Sequence, residues 1–424
     1  MFESAKPMRT TLALLFGMCV AGSCMPQEIS SAASAQPNVL IVLLDGTRAD
    51  HMGCYGYALD TTPHMDALAE VGLRFDDVVT PSPWSRPAFA ALLTGRYPSN
   101  LGMGGEAEHL SAAHMGLATV LADQGYRTSA VLSHPYLNPN SGVGEGFESF
   151  QFVVERSAWP KGLSAARVTD TALDQLDESD GRPFFLVAHY ADCLHDWAPI
   201  QGFEFGDPQY EGPLAGGLGM SDLLRGRHTW QDADLAELRA HYDSELAYVD
   251  TQVGRLLAGL KRRGLQENTL IVLTSTHGVE LFDHGGLGDS LSLHEELVHV
   301  PLMLAGPGVE PGINEVAASL IDLAPTLYKM LGIEFVQELD GVPMQSLEVE
   351  GLRILFAETD RIRRQRAAMD ERYKLILDVD SGGVRLFDLL EDQREVRDLS
   401  GDSAYRGRRI LLESALKELV GTDD

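Results

Sequence analysis

Three apolar runs in this chain each end in side chains able to hold a proton or a cation. Val39-Leu40-Ile41-Val42-Leu43-Leu44 stops at Asp45. Residues 269–274 give way to Ser275-Thr276-His277-Gly278, and residues 183–188 lead into His189-Tyr190-Ala191-Asp192. A carboxylate near an imidazole and a hydroxyl can bind a metal ion or relay a proton. Ser85 and His195 lie outside these runs. A serine hydroxyl attacks an electrophile only with a base or metal beside it, and Ser85 is equally suited to cap a helix. Histidine as a residue type titrates near neutral pH, so His195 suits an acid, with a surface-loop histidine as the plain alternative.

Continuous apolar runs read as strands buried on both faces, which is the pattern of a parallel sheet. Functional groups in such sheets collect just beyond the C-terminal strand ends, so the three endings are expected along one sheet edge. Between the runs, Leu235, Leu238, Tyr242, Leu246, Val249, Val253, Leu256 and Leu260 recur at helical spacing. Lys261-Arg262-Arg263-Gly264 closes that helix with cations and a glycine stop. Shorter helices are expected over 65–71 and 118–122, and the Gly- and Pro-rich stretch 202–219 reads as a long surface loop. After Leu331 the pattern shortens to strand-like pieces at 373–377 and 384–387, followed by a helix over 406–420. The alternation predicts a doubly wound, mostly parallel α/β sheet over 37–335 and a small antiparallel C-terminal α+β subdomain over 336–424.

The chain has 424 residues and a formal net charge of −29. That acidity excludes a nucleic-acid partner, which would need clustered Lys and Arg, and it obliges any anionic ligand to find a local positive patch. Residues 1–24 read as a signal peptide: Lys6 and Arg9, an apolar run too short to span a bilayer, then small residues. Cys24 after Ala21-Gly22-Ser23 is similar to a bacterial lipoprotein cleavage site carrying a lipid anchor, and ordinary cleavage near 31–35 is the alternative. An exported protein is expected, in the periplasm or at the cell surface. Cys54 and Cys193 remain, either bridged or as two buried thiols.

The segment Ser85-Arg86-Pro87-Ala88-Phe89-Ala90-Ala91-Leu92-Leu93-Thr94-Gly95-Arg96 resembles the signature of the sulfatases, within the alkaline-phosphatase superfamily. Counting back from Thr94 places Ser85 at the family's nucleophile position and Pro87 at its proline. Arg48-Ala49-Asp50-His51, Thr62-Pro63-His64, Asp322-Leu323-Ala324-Pro325-Thr326 and Leu339-Asp340-Gly341 are similar to family segments in the same order. The resemblance implies an alkaline-phosphatase-like fold and metal-assisted hydrolysis of sulfuric esters, on a small anionic ester or a sulfated glycan.

Site roles follow from the same resemblance. Ser85 is the implied nucleophile, and His195 touches the ester or protonates the leaving group. Asp45, Thr276 and His277 are the implied ligands of one divalent cation, Ca2+ or Zn2+/Mn2+. Arg86 and His284 are the implied substrate-binding cations. Four positions depart from the family pattern: Gly46 and Thr276 replace acids, Asp289 falls near an expected cation, and Phe89 stands where the machinery that makes formylglycine reads an arginine. Two rival readings follow from these departures, a phosphoesterase attacking directly through Ser85 and a binding protein that keeps the fold without catalysis.

Overall fold

The computed structural model describes residues 36–105, 109–154, 163–178, 180–194, 197–215, 230–335, 337–347 and 353–420. The expected leader at 1–24, with Cys24, lies outside the described residues, as do His195 and residues 216–219 of the long loop. Everything described belongs to the unit Gln36–Asp424.

The main sheet is built from β1 (Asn38–Leu44), β2 (Leu73–Phe75), β3 (Arg127–Leu132), β4 (Ser149–Phe152), β5 (Phe184–Tyr190), β6 (Thr269–Ser275), β7 (Leu302–Ala305) and β8 (Gly312–Asn314). Across the sheet the order is β8-β2-β7-β6-β1-β5-β3-β4. Only β7 runs antiparallel to its neighbours. The three apolar runs are therefore the adjacent central strands β6, β1 and β5, in the parallel arrangement their composition predicts. In the register, Leu44 of β1 faces Tyr190 on one side and Ser275 on the other. Asp45, Ala191 and Thr276 consequently leave the sheet at one level.

Alternate residues of β1 feed two separate cores, as strand geometry demands. Val39, Ile41 and Leu43 pack with Phe89, Leu92 and Leu93 of the helix α1 (Ser85–Thr94). Leu40, Val42 and Leu44 pack with Val168 of α2 (Ala165–Asp177) and with Leu246, Val249 and Val253 of α3 (Asp232–Arg262). The α3 helix begins a little before the expected position, where Gln231 and Asp234 form a reciprocal capping box. Residues 202–215 carry turns but no helix or strand.

The strand-like pieces near the C-terminus form a second sheet of β9 (Leu355–Thr359), β10 (Gln365–Met369), β11 (Tyr373–Asp378) and β12 (Val384–Asp388), antiparallel throughout. Leu412 and Leu416 of α4 (Arg406–Val420) cover one face, on Ala368, Leu375 and Leu386. The other face packs Leu355, Ala357, Ile376 and Phe387 against Leu293, Leu297 and Val298. Cys54 and Cys193 are both free. No helix among the described residues is long and apolar enough to cross a membrane.

Candidate active site

Asp45 is wholly buried and receives four side chains. Ser85 Oγ donates to its Oδ1 at 3.1 Å, Thr276 Oγ1 donates to the same oxygen, and His277 Nε2 lies 3.1 Å from it. His189 Nε2 meets the other oxygen, Oδ2, at 3.1 Å. Ser85 Oγ is also 3.3 Å from His277 Nε2, closing a triangle of hydroxyl, carboxylate and imidazole. His277 Nδ1 is held at 2.6 Å by the carbonyl of Gly278, so Nδ1 carries a proton and Nε2 faces Ser85 and Asp45. Burial alone would raise the Asp45 carboxyl, but the bonds from His189 and His277 outweigh it and hold the group well below the usual carboxylate range. Burial pushes the other way on His277, and Asp45 overcomes it, leaving the imidazole raised.

Ser85 is the first residue of α1, and the residue at the N-cap is Trp84, which makes no side-chain cap bond. Ser85 thus points its hydroxyl at Asp45 and His277 instead of at the helix backbone, which disposes of the capping alternative. The free N–H groups and positive dipole end of α1 lie beside it, a setting that favours an anion. Arg86 is buried. Its Nε donates to the carbonyl of Tyr136 at 3.1 Å, and its guanidinium stands 5.7 Å from the Trp84 ring and 5.5 Å from that of Tyr136. Phe89, one turn further along the helix, is fully buried in the core.

Residues 37–333 match the sulfatase family. The chain belongs to that family. It is 23% identical to an N-acetylglucosamine-6-O-sulfatase from Bacteroides thetaiotaomicron, over 96% of this chain and 90% of the relative. It is 28% identical to bovine (Bos taurus) arylsulfatase A, over 74% and 68%. Among solved structures, one in complex with its substrate D-glucosamine-2-N,6-O-disulfate aligns at a TM-score of 0.73 and 22% identity, over 91% of this chain and 97% of that one. The phosphonate monoester hydrolase of Agrobacterium radiobacter aligns at 0.74 and 24%, over 90% and 95%. As a sulfatase-family hydrolase, the chain has the alkaline-phosphatase-type fold that the resemblance of its motifs implies.

Sulfatases usually use a divalent metal, and this sulfatase offers Asp45 Oδ1, Thr276 Oγ1, His277 Nε2 and Ser85 Oγ as converging donors. One carboxylate among four donors does not suit calcium, which takes six to eight oxygens. The mixed nitrogen and oxygen set, with neighbours 3.1 to 3.3 Å apart, fits a smaller borderline cation such as zinc. The acids nearby are committed elsewhere. Asp50 and Asp283 both bind Arg48, Glu280 Oε1 takes the N–H groups of His284 and Gly286, and Asp289 meets Arg361 at 3.2 Å. Gly46 has φ +76°, and a Cβ there would sit 3.0 Å from both the Cys193 carbonyl oxygen and Leu194 Cδ2. An acid at that position would take a strained backbone angle and press on the 193–194 turn.

His284, expected among the substrate-binding residues, does not join the Ser85 group. Its Nδ1 is 2.8 Å from Glu296, and its ring stacks on His294 at 3.6 Å and 8°. His284, His294 and Glu395 are the one group of three or more His, Cys, Asp or Glu side chains among the described residues spaced to hold a metal. Parallel stacked rings cannot both aim a lone pair at one ion, and His294 Nε2 already takes Arg385 at 2.8 Å. Sequence reasoning did not assign His189 to the site. Its only signal was a histidine near the end of an apolar strand, two residues before the level of Asp45.

Proposed function

We propose that this chain is an exported hydrolase of sulfate monoesters in which Ser85 is the nucleophile. The observation that carries the reading is the placement of Ser85 Oγ between Asp45 Oδ1 and His277 Nε2, at 3.1 and 3.3 Å. In the reaction, Ser85 Oγ attacks sulfur as its proton passes to the Asp45–His277 pair, whose Oδ1 and Nε2 lie 3.1 and 3.3 Å away. The ester S–O bond breaks, and the leaving alcohol takes a proton from an acid, the role assigned to His195. The sulfo-serine formed is then hydrolysed by water. His277 directs its Nε2 at the same centre, and His189 fixes the rotation of the Asp45 carboxylate. A borderline cation bound by Asp45, Thr276 and His277 would supply Lewis-acid stabilisation of the ester oxygens. Direct attack by serine is favoured over formylglycine because Phe89 stands at the motif position where the modifying machinery reads an arginine.

A sulfated sugar is the proposed substrate class, supported by a relative described as an N-acetylglucosamine-6-O-sulfatase and by a fold neighbour solved with a glucosamine disulfate. The phosphonate monoester hydrolase neighbour motivates the second reading, a phospho- or phosphonoesterase. Export, with a lipid on Cys24, rests on the leader alone.

Hydrolysis of 4-nitrophenyl sulfate, phosphate and phenylphosphonate by the purified chain separates the two readings. A preference for sulfate, abolished in Ser85→Ala, is the expected result, and undiminished turnover by Ser85→Ala would overturn it. Mass spectrometry of the Ser85 peptide should show unmodified serine at rest, and metal analysis should return about one zinc-like ion per chain.

A further inference from the structure

Asp45 and His277 follow adjacent strands, yet both stand past the end of the sheet. The last backbone bonds there run from Asp45 N to the Tyr190 carbonyl and from Thr276 N to the Leu44 carbonyl, each at 2.9 Å. Beyond them, among the described residues, no backbone hydrogen bond joins residues 46–48 to residues 276–277. Asp45 is followed at once by Gly46 in the left-handed region, the residue type that restrains a chain least. The sheet alone therefore does not set the distance from Asp45 Oδ1 to His277 Nε2.

Hydroxyl groups make the missing connection. Ser275, the last residue of β6, is wholly buried. Its Oγ accepts the N–H of Thr47 at 3.1 Å and donates to the His277 carbonyl at 2.7 Å. One proton and two lone pairs allow both bonds at once. The Leu44 carbonyl, at 3.2 Å, is the longer alternative for the proton. A single oxygen thus ties the turn after Asp45 to the backbone of His277. Tyr242 of α3, also wholly buried, grips the same turn. Its hydroxyl donates to the Gly46 carbonyl at 3.0 Å and accepts the N–H of Arg48 at 2.9 Å. The carbonyl of Gly46 and the N–H groups of Thr47 and Arg48 are all held by two side-chain hydroxyls.

We propose that Ser275 is a positioning residue of the reaction centre, which sets the spacing of Asp45 and His277 through the backbone of each, with Tyr242 as its partner on the Gly46–Arg48 turn. The assignment rests on the hydrolase reading above, in which those two side chains flank the nucleophile.

Three measurements on the full chain test it: turnover of 4-nitrophenyl sulfate, calorimetric titration with Zn2+ alone, and urea unfolding. Ser275→Ala should lower kcat about 10–100-fold with KM within about twofold, the signature of reacting groups displaced without loss of substrate contacts. It should also weaken Zn2+ binding about tenfold. Tyr242→Phe, which deletes only the second tie, should move both values in the same direction, and it decides by the same criteria if Ser275→Ala does not fold. A merely structural hydroxyl would lower the unfolding midpoint and leave kcat and Zn2+ affinity per folded molecule at the parent's values, and that result would overturn the assignment. A change confined to KM would overturn it too. An active parent matched by Ser275→Ala in kcat and Zn2+ affinity keeps the hydrolase reading and removes this one. A parent that hydrolyses no ester, but whose Zn2+ affinity falls in Ser275→Ala, gives the reverse. One that neither hydrolyses nor binds Zn2+ removes both.

Discussion

Asp45 and Glu395 are both buried carboxylates bonded to histidines, yet they differ in what balances their charge. Around Asp45 the partners are two hydroxyls and two imidazoles. Glu395 has Lys374 Nζ at 3.1 Å, His294 Nδ1 at 2.9 Å and the Glu295 N–H at 2.7 Å, with Arg385 on the far nitrogen of His294. Lys374, itself fully buried, also binds Glu295 at 2.8 Å. Fixed charges lock the Glu395 group, which ties β11 and β12 to the segment 294–298. Hydroxyls and titratable rings leave the Asp45 group able to give and take protons. The same residue types make an anchor in one place and a reaction centre in the other, and the difference lies in whether a lysine or arginine completes the set.

The largest expected effect tests the reactive group. Ser85→Ala should lower ester hydrolysis by about 10^3-fold or more, with the melting temperature close to the parent's, because the hydroxyl supports no helix cap. Lys374→Met tests the anchor and should do the reverse. It strands Glu395 in the interior and should cost about 3–5 kcal/mol in denaturant unfolding, with activity per folded molecule retained. If the two effects were exchanged, the comparison would be wrong.

A smaller effect is expected from His189→Gln, which removes the ring that orients Asp45. Loss of activity of about 10–100-fold is expected, read as kcat, with little change in denaturation midpoint. The smallest effect is one of pH. Burial alone would raise the Glu395 carboxyl, but Lys374 and His294 hold it down at about 2. A depressed acid stabilises the fold fully above its ordinary value near 4.5 and loses that contribution as pH falls towards 2. Unfolding free energy measured across that window should drop less steeply in Glu395→Gln than in the parent.

The fold was readable because its central strands are buried on both faces, so Val39–Leu44 and its two neighbours show as unbroken apolar runs. Ser85 was readable because a short motif fixes its register on one helix. His189 was hidden by that same burial, since nothing in a strand-end histidine says that its ring meets a carboxylate on the next strand. The surroundings of His284 were not readable either, because nothing in the chain says that its ring turns towards Glu296 and His294.

Gly46 carries a consequence for redesign. A left-handed backbone angle and the carbonyl of the Cys193 turn crowd the place where the first side-chain atom of a second acid would go. A Gly46→Asp variant meant to add a metal ligand therefore asks the 193–194 turn to give way, whereas the position of Thr276 already reaches Asp45 Oδ1 and asks nothing of that turn.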